Sequence, residues 1–133
     1  MFKNRVHFSS FRLDWKTPKA VYQVLDAEFG FDYDPCPSNA VKDGLKEEWG
    51  KVNFVNPPYG HEIPKWIKKG FEEWKKEKTV VFLIPSRTDT RWWHDYCMKA
   101  TEIRFIKGRL YFDDGAGCAP FPSAIVIFKT GSD

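Results

Sequence analysis

Residues 79–84 read Thr-Val-Val-Phe-Leu-Ile, an unbroken β-branched and apolar run closed by Pro85. A strand with one wet face alternates apolar and polar side chains, so a run without alternation is expected of a strand covered on both faces of a sheet. Such a strand requires helices on both sides, and the flanking segments supply them. Before it, Ile63, Trp66, Ile67, Phe71 and Trp74 share one helical face while Lys65, Lys68, Lys69, Glu72, Lys75 and Lys76 share the other. After it, Thr88 or Asp89 can cap a helix carrying Trp92, Trp93, Tyr96 and Ala100.

Other segments extend the pattern. Thr17 as N-cap with Pro18 at the first helical position opens a helix bearing Val21, Tyr22, Leu25 and Phe29, and Gly30 ends it. Residues 31–34 form a short strand stopped by Pro35, and 52–55 form another that runs into Pro57 and Pro58. Between them, 37–50 read as an irregular connection with one or two helical turns around 45–49. Further strands are expected at 103–106, with a continuation at 110–112, and at 124–128. Strands alternating with helices imply one α/β domain over residues 1–133, its open sheet mostly parallel with the last two strands as an antiparallel edge.

Composition narrows the function classes. Aromatic residues make up 17% of the 133 residues and charged ones 29%, proportions of a globule rather than a disordered chain. The net charge of +3 permits nucleic-acid binding without requiring it, because opposite charges are interleaved. Cys36, Cys97 and Cys118 are odd in number and far apart, which argues against a disulfide framework and for a reducing cytoplasm. The longest wholly apolar run, 80–84, is far short of a membrane span, and no apolar stretch resembling a signal peptide follows Met1. His7, His61 and His94 lack metal-ligand spacing, so no metal is expected.

In open α/β sheets ligands bind at the carboxyl ends of the strands. Three consecutive strands end in polar, proline-containing clusters: Asp34-Pro35-Cys36, Asn56-Pro57-Pro58-Tyr59 and Pro85-Ser86-Arg87-Thr88-Asp89. The second is the sharpest, since a tetrad of this kind arises by chance roughly once in a few hundred chains of this length. Its chemistry suits methylation of a planar amine, whose delocalised lone pair makes it a poor nucleophile. The amide oxygen of Asn56 and the backbone carbonyl of Pro57 can each accept one N–H, favouring pyramidal nitrogen, while the prolines hold both acceptors rigid. Tyr59 offers a ring on which a base can stack. Asp34, at a strand's carboxyl end, is placed for a cofactor ammonium or hydroxyl. Arg87, Arg91 and Arg109 fall near strand ends and loops, where phosphate contacts are made. Trp92 and Trp93 read as core at helical spacing, although Trp92, near a helix start, can reach a substrate, and Phe112, Phe121 and Pro122 are pocket walls or core.

On these residues the chain resembles the phage-type, Dam-like DNA N6-adenine methyltransferases. The resemblance runs from Phe8-Ser9-Ser10 through Trp15-Lys16-Thr17-Pro18, Leu25 to Phe29, Asp34-Pro35-Cys36, Asn39-Ala40, Gly44-Leu45, Asn56-Pro57-Pro58-Tyr59-Gly60 and Arg87-Thr88-Asp89-Thr90, then Phe105-Ile106-Lys107-Gly108-Arg109-Leu110 and Ala119-Pro120-Phe121-Pro122-Ser123. It implies a compact Rossmann-like methyltransferase fold, S-adenosylmethionine as cofactor, and adenine-containing DNA as partner. It also implies Asn56, Pro57, Pro58 and Tyr59 as the catalytic motif. Cofactor contacts would come from Phe8, Trp15, Thr17, Pro18, Asp34, Pro35, Cys36 and Asn39. A DNA and target-base site would come from Arg87, Thr88, Asp89, Arg91, Trp92, Arg109, Phe112 and Phe121. A phage-encoded enzyme of this kind acts in the bacterial host cytoplasm.

The chain departs from the wider class in three ways. No GxGxxG occurs, which fits a cofactor without phosphate and argues against NAD or ATP. Asp34 and Asn56 lie too close in sequence for two further βα units between them, so the sheet is expected to be truncated on the side that cradles the ribose, leaving Asp34 and Asn39 as its candidates. No insertion is long enough for a separate recognition domain, so selectivity is weak, rests on short loops, or needs a partner or homodimer. Two other functions use the same residues: N5-methylation of protein glutamine, whose amide nitrogen is also planar, and non-catalytic binding of single-stranded nucleic acid by stacking aromatics.

Overall fold

The sheet is built outward from its most apolar strand. In a computed structural model, which describes residues 15–37, 40–112 and 117–131, strand β2 (Thr79–Pro85) is buried at every position. β1 (Val52–Val55) pairs parallel to it, with Asn53 opposite Val80 and Val55 opposite Phe82. Outside β1 a single parallel bridge joins Tyr33 to Asn53, extended by hydrogen bonds from Asp32 N–H to Val52 O (2.9 Å) and Phe54 N–H to Tyr33 O (3.1 Å). On the other side of β2 lies β6 (Ser123–Phe128), antiparallel to it, and β6 is followed by β3 (Glu102–Phe105), antiparallel in turn. The order is β1-β2-β6-β3. A small hairpin, β4 (Tyr111–Phe112) with β5 (Gly117–Cys118), stands apart from this sheet.

The architecture is therefore mixed α/β with a small sheet of mixed orientation. This corrects the expectation of a mostly parallel sheet: β1 and β2 are parallel, but both pairings of β6 are antiparallel. β6 is also central rather than marginal. Its six residues are all buried, whereas β3 carries Glu102 and Arg104 and forms the edge, where charge discourages pairing with another chain. Residues 31–34 make only the bridge at Tyr33, and 110–112 turn into the hairpin instead of prolonging β3.

Side chains alternate across the sheet, so each strand feeds two cores. Phe54, Val81, Leu83, Ile125 and Ile127 pack against α1 (Lys19–Phe29) through Leu25, Tyr22 and Phe29. Val55, Val80, Phe82, Ile84, Val126 and Phe128 pack on the opposite face against Ile63, Trp66 and Ile67 of α2 (Ile63–Lys75) and Trp93 of α3 (Arg91–Asp95). Helix α3 is shorter than its sequence pattern suggests and is followed by a 3₁₀ turn at Cys97–Lys99. Its cap is Thr90, whose hydroxyl accepts from Trp93 N–H at 3.3 Å, rather than Thr88 or Asp89.

The lysine-rich side of α2 is not wholly a solvated face. Glu73 is 1% exposed and gathers Lys78 (2.6 Å), Lys69 (2.9 Å) and Lys76 (3.2 Å), while accepting from Trp49 N–H at 3.3 Å. Burial alone would raise its pKa, but the three lysine hydrogen bonds outweigh that and hold it at about 2. A group whose folded pKa lies below its unfolded value stabilises the fold above the unfolded value and loses that contribution as pH falls through the folded one. Stability supplied by Glu73 should therefore be lost between pH of about 4.5 and about 2. Glu73→Gln should cost about 2–3 kcal/mol at neutral pH, below the range for a fully buried ion pair because Lys76 can turn to water, and should flatten the acid limb. Urea titrations from pH 7 to 3 measure both; an unchanged acid limb would show that the cluster contributes nothing.

Candidate active site

The loop after β1 connects its carboxyl end to α2 through Asn56, Pro57, Pro58, Tyr59 and Gly60. Gly60 has φ of 95°, a conformation that favours glycine, and it turns the chain so that Ile63 N–H bonds to the Gly60 carbonyl at 3.3 Å. The parallel bridge at Tyr33 brings the next carboxyl end alongside. Asp34 lies just past that bridge, and its Oδ1 accepts from Cys36 N–H at 2.9 Å. That turn is closely backed: a Cβ on Gly44 would lie 2.0 Å from the Pro35 carbonyl oxygen, so only glycine permits the approach.

Two clefts open along these strand ends. The larger, about 820 Å³, is lined by Trp15, Thr17, Asp34, Cys36, Asn56, Pro57 and Pro58, together with Lys16, Lys19, Tyr22, Gln23, Pro37 and Phe54. The smaller, about 490 Å³, is lined by Trp15, Tyr59, Arg87, Trp92 and Phe121, with Gly60, Ile63, Pro85, Thr90 and Pro120 completing the wall. Trp15 belongs to both. It is 5% exposed and meets Phe121 edge-on at 5.5 Å, and Phe121 in turn meets Tyr59 edge-on at 5.3 Å. Arg87 lies over the Phe121 ring at 5.9 Å.

Asn56 is held from behind. Its Nδ2 donates to the Trp15 carbonyl and to Thr17 Oγ1, the latter at 3.0 Å. A carbonyl can only accept, so this contact fixes which end of the amide is nitrogen. The other end, Oδ1, is buried and has no hydrogen-bond partner among the described residues. A buried acceptor left unpaired costs about 1–3 kcal/mol, which a ligand N–H would recover. Thr17 does not cap α1 as its sequence position suggests. The N-cap position falls on Pro18 without a side-chain cap, and α1 begins at Lys19, because the Thr17 hydroxyl is engaged by Asn56.

Environment sets the titratable groups. Asp34 is exposed at the rim, yet the concave wall around it removes enough hydration to raise its pKa, with Cys36 N–H opposing. Burial pushes the Tyr59 hydroxyl far up; it donates to the Leu83 carbonyl at 3.3 Å, and the ring is 4% exposed. Desolvation, aided by Asp34, pushes the Cys36 thiol up to about 11, and burial pushes Cys97 to about 12. Both should therefore resist alkylation at pH 7.5, since the thiolate is the reactive form. Exposed Cys118 should react alone in the native protein, and all three cysteines after denaturation. Mass spectrometry after brief iodoacetamide treatment reads this, and rapid labelling of Cys36 would mean that the cleft wall opens.

Of the cofactor candidates, Trp15, Thr17, Asp34 and Cys36 line the larger cleft, while Pro18 and Pro35 are buried and outside its lining. Phe8 and Asn39 lie outside the described residues. Of the substrate candidates, Arg87, Trp92 and Phe121 share the smaller cleft with Tyr59. Thr88, Asp89, Arg91 and Arg109 are exposed and line neither cleft. Phe112 is in the hairpin strand β4, and its side chain lies outside what the structure describes. Of the larger cleft's lining, sequence reasoning missed Lys16, Lys19, Tyr22, Gln23, Pro37 and Phe54. Tyr22 reads as part of the apolar stripe of α1, and it does touch Phe54 edge-on at 5.2 Å, but it also reaches the cleft. Among the described residues no group of three His, Cys, Asp or Glu side chains is placed to hold a metal, and no helix is long and apolar enough to cross a membrane.

The family model described as DNA N-6-adenine-methyltransferase (Dam) matches residues 7–126. A curated relative, the DNA N-6-adenine-methyltransferase of Haemophilus phage HP1 (strain HP1c1), is 30% identical, the match covering 69% of this chain and 61% of the relative. This chain thus spans less than two-thirds of the relative's length. No solved structure matches it significantly.

Proposed function

Because the chain belongs to the DNA N-6-adenine-methyltransferase (Dam) family, we propose that it methylates the N6 amine of adenine in DNA, with S-adenosylmethionine as donor. The observation that carries this reading is the buried, unpartnered Oδ1 of Asn56 beside Trp15, the residue common to both clefts. On this reading Asn56 Oδ1 accepts one N–H of the adenine amine and the Pro57 carbonyl accepts the other. Together they loosen the lone pair from the ring and stabilise the positive charge that grows on nitrogen.

The larger cleft is of a size for a drug-sized cofactor and sets apolar walls from Trp15, Cys36, Phe54, Pro57 and Pro58 against polar groups such as Asp34, Asn56 and Gln23. Asp34 would accept from the ammonium or a hydroxyl of S-adenosylmethionine, and Trp15, Cys36 and Phe54 would cover its apolar parts. The cofactor supplies an electrophilic methyl group. The smaller cleft, walled by Tyr59, Trp92 and Phe121, suits a flat heteroaromatic ring better than a side-chain amide, which favours adenine over protein glutamine. Arg87 at its edge would meet the phosphate backbone.

We read residues 1–133 as one methyltransferase domain of the Asn-Pro-Pro-Tyr class, its core a truncated Rossmann-like sheet. Parallel β1 and β2 and the Tyr33 bridge support this by carrying the clefts at their carboxyl ends. A homodimer would supply recognition surface that these short loops lack, and a phage-encoded enzyme would act in its host's cytoplasm. Calorimetry with S-adenosylmethionine in the presence of a chelator should show saturable binding, and labelled donor should yield N6-methyladenine in DNA. No heat at high micromolar cofactor would remove the methyltransferase reading. Label appearing in protein instead of DNA would favour glutamine.

A further inference from the structure

We propose that Thr17 is the positioning residue of Asn56: its hydroxyl holds the Asn56 amide so that Oδ1 faces the cleft, and it is not a ligand of the cofactor. The inference rests on the methyltransferase reading for its catalytic consequence, but its structural half stands on two hydrogen bonds and one unpaired acceptor. Thr17 Oγ1 accepts from Asn56 Nδ2 at 3.0 Å, the Trp15 carbonyl accepts from the same nitrogen, and Asn56 Oδ1 is left buried without a partner among the described residues.

Two acceptors on one amide nitrogen use both of its protons. They leave the side chain no rotamer freedom about its terminal bond, and a swap of its ends would set oxygen against the Trp15 carbonyl. The acceptor is thereby placed before substrate arrives, which is the condition under which a dipole contributes most to a rate. Backbone supplies one of the two anchors and cannot be lost by substitution; Thr17 supplies the other.

A second observation separates this role from helix capping. A threonine just before proline at a helix start ordinarily bonds to a backbone N–H of the first turn, and losing that cap costs about 1 kcal/mol. Here α1 has no side-chain cap, although a threonine stands next to the N-cap position. The hydroxyl has been diverted from a local stabilising role to Asn56, 39 residues further along the chain. Local rules are broken in this way where a site needs the group elsewhere.

Thr17→Val keeps shape and removes the acceptor, whereas Thr17→Ser keeps the acceptor. With the full chain, Thr17→Val should lower kcat for adenine methylation on the order of tenfold, leave the Kd for S-adenosylmethionine within about threefold, and leave the melting temperature close to wild type. Thr17→Ser should restore kcat. Nitrogen-edited NMR gives a readout besides activity: the Asn56 side-chain amide, identified by its loss in Asn56→Ala, should be a protected pair of signals in the wild type and in Thr17→Ser. In Thr17→Val it should exchange rapidly with solvent. An unchanged amide signal in Thr17→Val overturns the proposal, as does a loss of cofactor affinity with kcat intact, which would make Thr17 a cofactor ligand. A wild-type protein that methylates no adenine would overturn the methyltransferase reading instead, with the amide signals still deciding whether Thr17 holds Asn56.

Discussion

Asn56→Ala should lower the rate of adenine methylation by on the order of a hundredfold or more, with affinity for S-adenosylmethionine within about threefold of wild type. The size follows from what the alanine removes. Asn56 Oδ1 is a buried acceptor with no partner among the described residues, aimed by bonds from its own amide nitrogen to Thr17 and Trp15. Removing one preorganised acceptor from a dry site costs far more in the transition state, where charge grows, than in the ground state. The substitution also removes the hydrogen bonds from Asn56 Nδ2 to the Trp15 carbonyl and the Thr17 hydroxyl, so about 1–2 kcal/mol of stability should go with it. Single-turnover methylation at saturating cofactor, together with calorimetry, separates the two effects. Asn56→Asp is the sharper companion, because it keeps an acceptor but turns oxygen toward the Trp15 carbonyl. Its activity should fall between that of wild type and the alanine variant. Near-normal turnover by Asn56→Ala would sink the proposed role of the amide.

Much of the site was legible because its chemistry lies in short contiguous segments. Asn56-Pro57-Pro58-Tyr59 after an apolar strand, and Asp34-Pro35-Cys36 after a shorter one, declare themselves as loop ends by proline alone. The sheet then does the rest, since parallel neighbours bring their carboxyl ends to one edge. What was not legible is tertiary. Nothing local says that the Thr17 hydroxyl is drawn to Asn56 rather than to its own helix, or that Trp15 separates two clefts. Lys16, Lys19 and Gln23 were invisible because polar residues at a helix start look the same whether they face water or a cavity.

The sheet's orientation had a signal that periodicity does not weigh. Continuous burial of 123–128 matches that of β2, and the charged alternation of 102–105 marks an edge, so the charge pattern alone places β6 inside β3. Direction is another matter. An interior strand can run either way, and the antiparallel return of β6 along β3 follows a connection that holds the β4–β5 hairpin and, among the described residues, no crossover helix. Glu73 shows the complementary limit: a glutamate among lysines on a helix reads as solvated surface until the fold turns it toward the Trp49 amide.

Tyr59 carries the second large effect, and the structure dictates which variants can reveal it. If the substrate is duplex DNA, adenine must leave the stack to bring its amine to Asn56, and the smaller cleft would receive it. Stacking on Tyr59 would then supply roughly 1–3 kcal/mol, equivalent to one to two orders of magnitude in rate. The ring, however, is 4% exposed and edge-on to Phe121 at 5.3 Å, so Tyr59→Ala would also open a core cavity worth about 3–5 kcal/mol. Loss of activity in that variant alone proves little. Tyr59→Leu fills most of the volume without a π-face, and Tyr59→Phe keeps the face while giving up the 3.3 Å bond to the Leu83 carbonyl, about 1 kcal/mol. With folding verified by circular dichroism at the assay temperature, Tyr59→Phe should keep most activity and Tyr59→Leu should lose ten- to a hundredfold. Adenine opposite a mismatch or an abasic site should bind more tightly than paired adenine, because less unstacking energy is spent in extruding it. Equal activity of the Phe and Leu variants, or indifference to the mismatch, would reduce Tyr59 to scaffold and leave Trp15, Trp92 and Phe121 as the aromatic residues of that cleft on which the base could stack.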